Sequence, residues 1–109
     1  MSPQSRGPSS EVSARHAFVS GRVQGVGFRW WTKHEADALD LAGWVRNLVD
    51  GRVEVWFEGR RESVERLAMW LEVGPQEAIV GHLELREVEP QGRSGFRVTR
   101  PGLGDIGGG

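Results

Sequence analysis

The sequence predicts an α+β domain, with one antiparallel sheet carrying two helices on a single face. Three observations point to it. The apolar pattern switches between near-alternation and the helical period in the order βαββαβ. An Asp50-Gly51 pair separates two apolar runs, a strong hairpin signal. A helical stripe stops at Gly74-Pro75, a glycine cap followed by a residue that cannot continue a helix. This order of elements is the split βαβ arrangement of ferredoxin-like folds.

Each element rests on its own signal. Ala14 to Val23 reads as a first strand with weak alternation. Phe28 to Leu41 reads as a helix, with Phe28, Trp31, Thr32, Glu35, Ala36 and Leu39 at helical spacing. The carbon portions of Thr32 and Glu35 would flank that stripe. Trp44 to Leu48 and Arg52 to Glu58 are the two hairpin strands. Arg61 to Val73 is the second helix, with Val64, Leu67, Ala68 and Leu71 on one face. Ala78 to Val88 reads as a fourth strand, and Phe96 to Thr99 as a short fifth at an edge. Trp31 and Trp44 fit core or near-core positions, while Trp30 is placed to shape the rim of a site beside Arg29.

Composition bounds the function. A chain of 109 residues with 38% hydrophobic and 27% charged residues is a single globular domain. It has no cysteine, which excludes disulfides, thiolate chemistry and cysteine-ligated zinc, and fits a reducing compartment. Fourteen basic and 15 acidic residues give a net charge of -1. Such a balance offers no bulk attraction to nucleic acid or to an anionic membrane, so any anion site must be local. No stretch approaches the roughly 20 apolar residues that span a bilayer, and Met1 to Ser13 has no apolar signal region. The expectation is a cytoplasmic monomer with a disordered tail over 1–14, a domain over 15–100 and a flexible Gly-rich tail over 101–109.

The segment with chemistry in it is Gly21 to Arg29, GRVQGVGFR, between the first strand and the first helix. Its glycines permit tight turns with positive φ. Successive inward N–H groups there can form an anion nest, and the following helix start faces its own unpaired N–H groups and dipole toward the same place. Arg29 adds a planar fork suited to phosphate. From the residues alone, a tight βα connection with a surface arginine explains the segment equally well. The Walker ending is missing, and the glycine spacing is not that of a dinucleotide fingerprint. Asn47 has two readings as well: a turn residue that caps backbone groups, or a functional group on the strand just before the turn. His16, His34 and His82 are not at metal-ligand spacing.

The runs VSGRVQGVGFR (Val19 to Arg29) and GWVRNLVDGRVEV (Gly43 to Val55) resemble the two signatures of the acylphosphatase family. EGRRESVERLAMWLEVGPQEAIV and the late Phe-Arg-Val extend the resemblance over roughly residues 15 to 100. It implies a ferredoxin-like fold and hydrolysis of small acyl phosphates without cofactor or metal. It further implies Arg29 as the phosphate-binding arginine and Asn47 as the residue that positions the catalytic water. Val23, Gln24, Gly25, Val26, Gly27 and Phe28 would be the backbone phosphate cradle. The chain departs from the family at Leu39-Asp40-Leu41, where Leu-Gly-Leu is usual; Asp40 there would have to serve as a left-handed helix cap. Two other functions fit the residues less well. An RNA-recognition module needs aromatic strand motifs and a basic face, and neither is present. An accessory phosphate- or carbamoyl-phosphate-binding domain fits poorly with so short a chain and with the presence of both Arg29 and Asn47.

Overall fold

The computed structural model describes residues 11–101. Its elements are β1 (Val12–Arg22), α1 (Phe28–Ala38), β2 (Ala42–Asn47), β3 (Val53–Arg60), α2 (Arg61–Leu71), β4 (Ile79–Val88) and β5 (Phe96–Val98). They form one five-stranded sheet in the order β4-β1-β3-β2-β5. The expected tails fall mostly at 1–10 and 102–109, outside the described residues. Val12 to Ala14, expected in the N-terminal tail, instead pair with Glu58 to Arg60 as the start of β1. Ala14 is fully buried.

The sheet is mixed, not wholly antiparallel. β1 pairs antiparallel with β3 and β4, and β2 antiparallel with β3, but β5 lies parallel to β2. The direction follows from connectivity. β4 runs opposite to β1 and so ends at the end of the sheet where β2 begins; a short strand entered from that end must run alongside β2. The connection from β4 to β5 passes over the sheet face away from the helices. There the buried Glu58 carboxylate accepts hydrogen bonds from the Gln91, Gly92 and Arg93 amides, and the Arg93 guanidinium lies over the Trp56 ring.

The core lies between the sheet and the helices. Ala17 and Val19 of β1 and Val53, Val55 and Phe57 of β3 meet Phe28 and Ala36 of α1 and Val64, Leu67 and Leu71 of α2. The α2 stripe is as the sequence predicts. The α1 stripe is narrower: Phe28, Thr32 and Ala36 are buried, but Trp31 is 42% exposed. Trp31 sits at the margin of the apolar arc, where the neighbouring helix does not cover it. Trp44 is half-buried on the open face of the sheet, beneath the Arg46 guanidinium.

α1 ends in a Schellman motif. The Leu41 amide bonds to the Ala36 carbonyl and the Asp40 amide to that of Asp37, with Asp40 at φ 60°. Asp40 therefore carries the left-handed cap, and the helix stops three residues before Leu41. Gly74 plays the same part after α2, at φ 72° with its amide on the Trp70 carbonyl.

Candidate active site

β1 and β2 run in the same direction, since both are antiparallel to β3. Their C-terminal ends therefore lie together, and the 23–27 loop leaves from the same end. A cleft of about 380 Å³ opens there. Val23, Gly25, Gly27, Phe28 and Arg29 line it from the loop and the first turn of α1, and Asn47 lines it from the end of β2. Trp30 of α1 and Val98 of β5 complete the lining.

The loop adopts what its glycines allow. Gly25 and Gly27 have φ 76° and 79°, and Gly27 is the left-handed residue that caps α1 without any side-chain hydrogen bond. The first amides of α1 therefore have no side-chain cap. Thr32 is buried and donates its hydroxyl to the Phe28 carbonyl at 2.8 Å, securing the turn that carries Arg29.

Asn47 is directly opposite Val53 in the β2–β3 ladder, so it shares the helix-facing side of the sheet with that core residue. Its neighbour Arg46 faces the other way. On the open face, Arg46 Nε and His16 Nε2 each lie 2.7 Å from the carboxylate of the buried Glu54. Arg46 is thus committed behind the sheet. Arg29 takes part in none of the salt bridges found among the described residues. It is also the one charged residue of the described chain that lines the cleft.

Two residues expected in the phosphate cradle do not line the cleft. Val26 turns toward the core and borders a neighbouring groove. Gln24 points its side-chain amide at the β2–β3 turn and donates to the Leu48 and Arg52 carbonyls, both at 2.9 Å. Their backbone amides remain in the loop, but the Gln24 side chain is a strut. Val98 was not foreseen as a cleft residue; its place depends on where β5 docks, for which the sequence carries no local signal. Trp30 is at the rim, as its position after Arg29 predicts.

The neighbouring groove is larger, about 460 Å³, and lies between Trp31, Trp70 and the turn at Gly74 to Glu77. Its charged lining residues are Glu35 and Glu77. Carboxylates repel a phosphoryl dianion, so the smaller cleft is the one suited to an anion. Among the described residues no group of three or more His, Asp or Glu side chains is placed to hold a metal ion. No helix there is long and apolar enough to cross a membrane.

The fold is thus a ferredoxin-like α+β domain with a glycine loop, one arginine and one asparagine lining a cleft at a common end of the sheet. Comparison with known proteins names the family. The acylphosphatase family model matches residues 15–98. The chain is 50% identical over 93 residues to an acylphosphatase of Trichormus variabilis, covering 85% of this chain and 92% of that protein. It is 56% identical over 85 residues to one of Pseudomonas paraeruginosa, covering 78% and 93% respectively. The structure of an acylphosphatase from Coxiella burnetii superposes with a TM-score of 0.79 at 40% identity, covering 83% of this chain and 95% of that one. The chain belongs to the acylphosphatase family.

Proposed function

We propose that this acylphosphatase hydrolyses the carboxyl–phosphate bond of small acyl phosphates by holding the phosphoryl group on Arg29 and the 23–28 amides while Asn47 orients the attacking water. The observation that carries these roles is the convergence of the glycine loop with Arg29, and of Asn47, on one cleft from two separate stretches of chain.

The chemistry fits these parts. Water attacks phosphorus in line, the bond from phosphorus to the carboxyl oxygen breaks, and the carboxylate leaves with its electron pair. A carboxylate is a good leaving group, so no strong general acid is required. The protein has to position and neutralise the phosphoryl group and aim the water. An arginine keeps its charge throughout an enzyme's working range, so Arg29 clamps and does not take a proton. Asn47 can accept one hydrogen bond from the water and donate another, but it cannot remove a proton. The proton therefore passes to a phosphate oxygen of the substrate, and inorganic phosphate is released. We further propose that the enzyme works as a cytoplasmic monomer without cofactor or metal, a reading supported by the absence of cysteine and the balanced charge.

The test is hydrolysis of benzoyl phosphate, followed by absorbance in excess chelator, for the wild type, Arg29→Ala and Asn47→Ala. Each substitution is expected to lower kcat by about 10²- to 10³-fold while leaving the circular dichroism spectrum unchanged. The wild-type rate should be flat through neutral pH. A limb at a histidine-like pH, or a folded Asn47→Ala enzyme with full activity, would refute the assigned roles.

A further inference from the structure

The phosphate end of the cleft does not account for all of it. Two exposed apolar side chains also line it: Trp30, 59% exposed, and Val98, 43% exposed. They come from α1 and β5, different elements that the fold brings to one opening. A phosphoryl group needs neither of them, because its partners are amides and a guanidinium.

The indole is also held in place. One face of Trp30 stacks on the His34 ring, with centroids 5.5 Å apart and planes 6° from parallel. Its edge meets Trp31 in a T-shaped contact at 4.8 Å. Trp31 and His34 in turn pack edge-on at 5.6 Å. Three aromatic rings on the outer side of one helix thus fix the orientation of the one that reaches the cleft. An ordered, half-exposed aromatic surface loses little conformational entropy when it binds another flat apolar group.

We propose that Trp30, with Val98, forms a subsite for the acyl end of the substrate and makes the enzyme favour acyl phosphates with an aromatic or bulky apolar acyl group over those with a small one. This rests on the reading of the cleft given above. A phosphoryl group held on the loop and Arg29 has to send its acyl substituent toward the mouth of the same cleft, where the exposed apolar surface lies. Trp30 touches the part of the substrate that does not react, so it is a specificity residue. Its contact is the same in the ground state and the transition state and should act on KM more than on kcat.

The experiment compares acetyl phosphate with benzoyl phosphate as substrates for the wild type, Trp30→Ala and Trp30→Phe. The wild type should show the higher kcat/KM for benzoyl phosphate. Trp30→Ala should reduce that preference by roughly three- to tenfold, the range expected for loss of one aromatic contact. The change should appear as a raised KM for benzoyl phosphate, with acetyl phosphate nearly unaffected. Trp30→Phe should restore most of the preference. Equal losses on both substrates would show that Trp30 only supports the helix, and no loss on either would show that the acyl group does not reach it; either overturns the subsite while leaving the roles of Arg29 and Asn47 standing. A wild type inert toward both substrates would overturn the reading of the cleft itself, and the subsite with it.

Discussion

The Gln24 strut gives the sharpest test of how the site is held. Its amide donates to the Leu48 and Arg52 carbonyls, which flank the turn immediately after Asn47. One side chain therefore joins the 23–27 loop to the strand end that carries Asn47. Gln24→Ala removes two neutral hydrogen bonds, worth about 0.5–1.5 kcal/mol each. Neither carbonyl is orphaned, because Leu48 still accepts from Gly51 and Arg52 still accepts from Leu48. The lower part of the range applies, about 1–2 kcal/mol in all. With a urea slope of about 1–3 kcal/mol/M, the unfolding midpoint should fall by about 0.5–1.5 M. Activity should fall too, by about 10- to 100-fold in kcat/KM, because a displacement of about 1 Å between phosphate and water is that costly. Gln24→Glu separates bonding from bulk. It keeps the size but sets a carboxylate against two carbonyl oxygens, so it should be less stable than Gln24→Ala at pH 7. Urea midpoints and kcat/KM for the three proteins decide the matter. If the glutamate variant matched the wild type in both, the strut would carry no weight.

Two other perturbations probe a helix cap and the turn that follows Asn47. Asp40→Gly removes the strain of a non-glycine residue at φ 60° and should stabilise the fold by up to about 1 kcal/mol. For a domain of this size the melting temperature should rise by a few degrees, at about 4–8 °C per kcal/mol, with turnover unchanged; a large change in turnover would mean that the cap communicates with the site. The Asp50 carboxyl is held below the usual aspartate range by the hydrogen bond from the Arg52 side chain, reinforced by the Arg52 amide. Its folded-state pKa is below its unfolded one, so its stabilising contribution is present at neutral pH and is lost as pH falls through the folded value. Asp50→Asn should therefore be less stable than the wild type at pH 7, and the gap in urea midpoint should narrow as the pH is lowered through the acid range; a gap independent of pH would assign the effect to packing.

What was legible in the sequence was what is decided locally. Gly74-Pro75 stops α2 and Asp50-Gly51 turns the hairpin because φ preferences act within a few residues. Asp40 at positive φ was implied by the family resemblance, which has a glycine there, and the structure has it at φ 60°. The loop and Arg29 were legible as parts, and the family resemblance supplied Asn47. The misses have tertiary causes. Trp31 lies on the helical stripe by spacing, but coverage depends on how α2 sits, and it ends up 42% exposed. β5 is parallel because of where β4 ends, a matter of topology that three residues cannot encode. Gln24 could not be told from a cradle residue until the turn at Leu48 and Arg52 was seen to approach its amide.

The two faces of the sheet divide the charge between them, and this leaves Arg29 as the one charged residue lining the cleft among the described residues. On the open face, Glu54 holds His16 and Arg46, and Glu58 collects the three amides of the crossing connection. These ionisable groups meet their partners behind the sheet, out of the cleft. On the helix face, Arg29 is left with the loop amides and the uncapped start of α1, a set of donors and no carboxylate lining the same cleft. A phosphoryl dianion entering there meets one full positive charge and several oriented dipoles, and no competing anion that it must displace. Acidic residues do line the next groove, at Glu35 and Glu77, but neither lines the cleft that holds Arg29. The enzyme thus achieves local electropositivity on a chain of net charge -1 by where it places its carboxylates as much as by where it places Arg29.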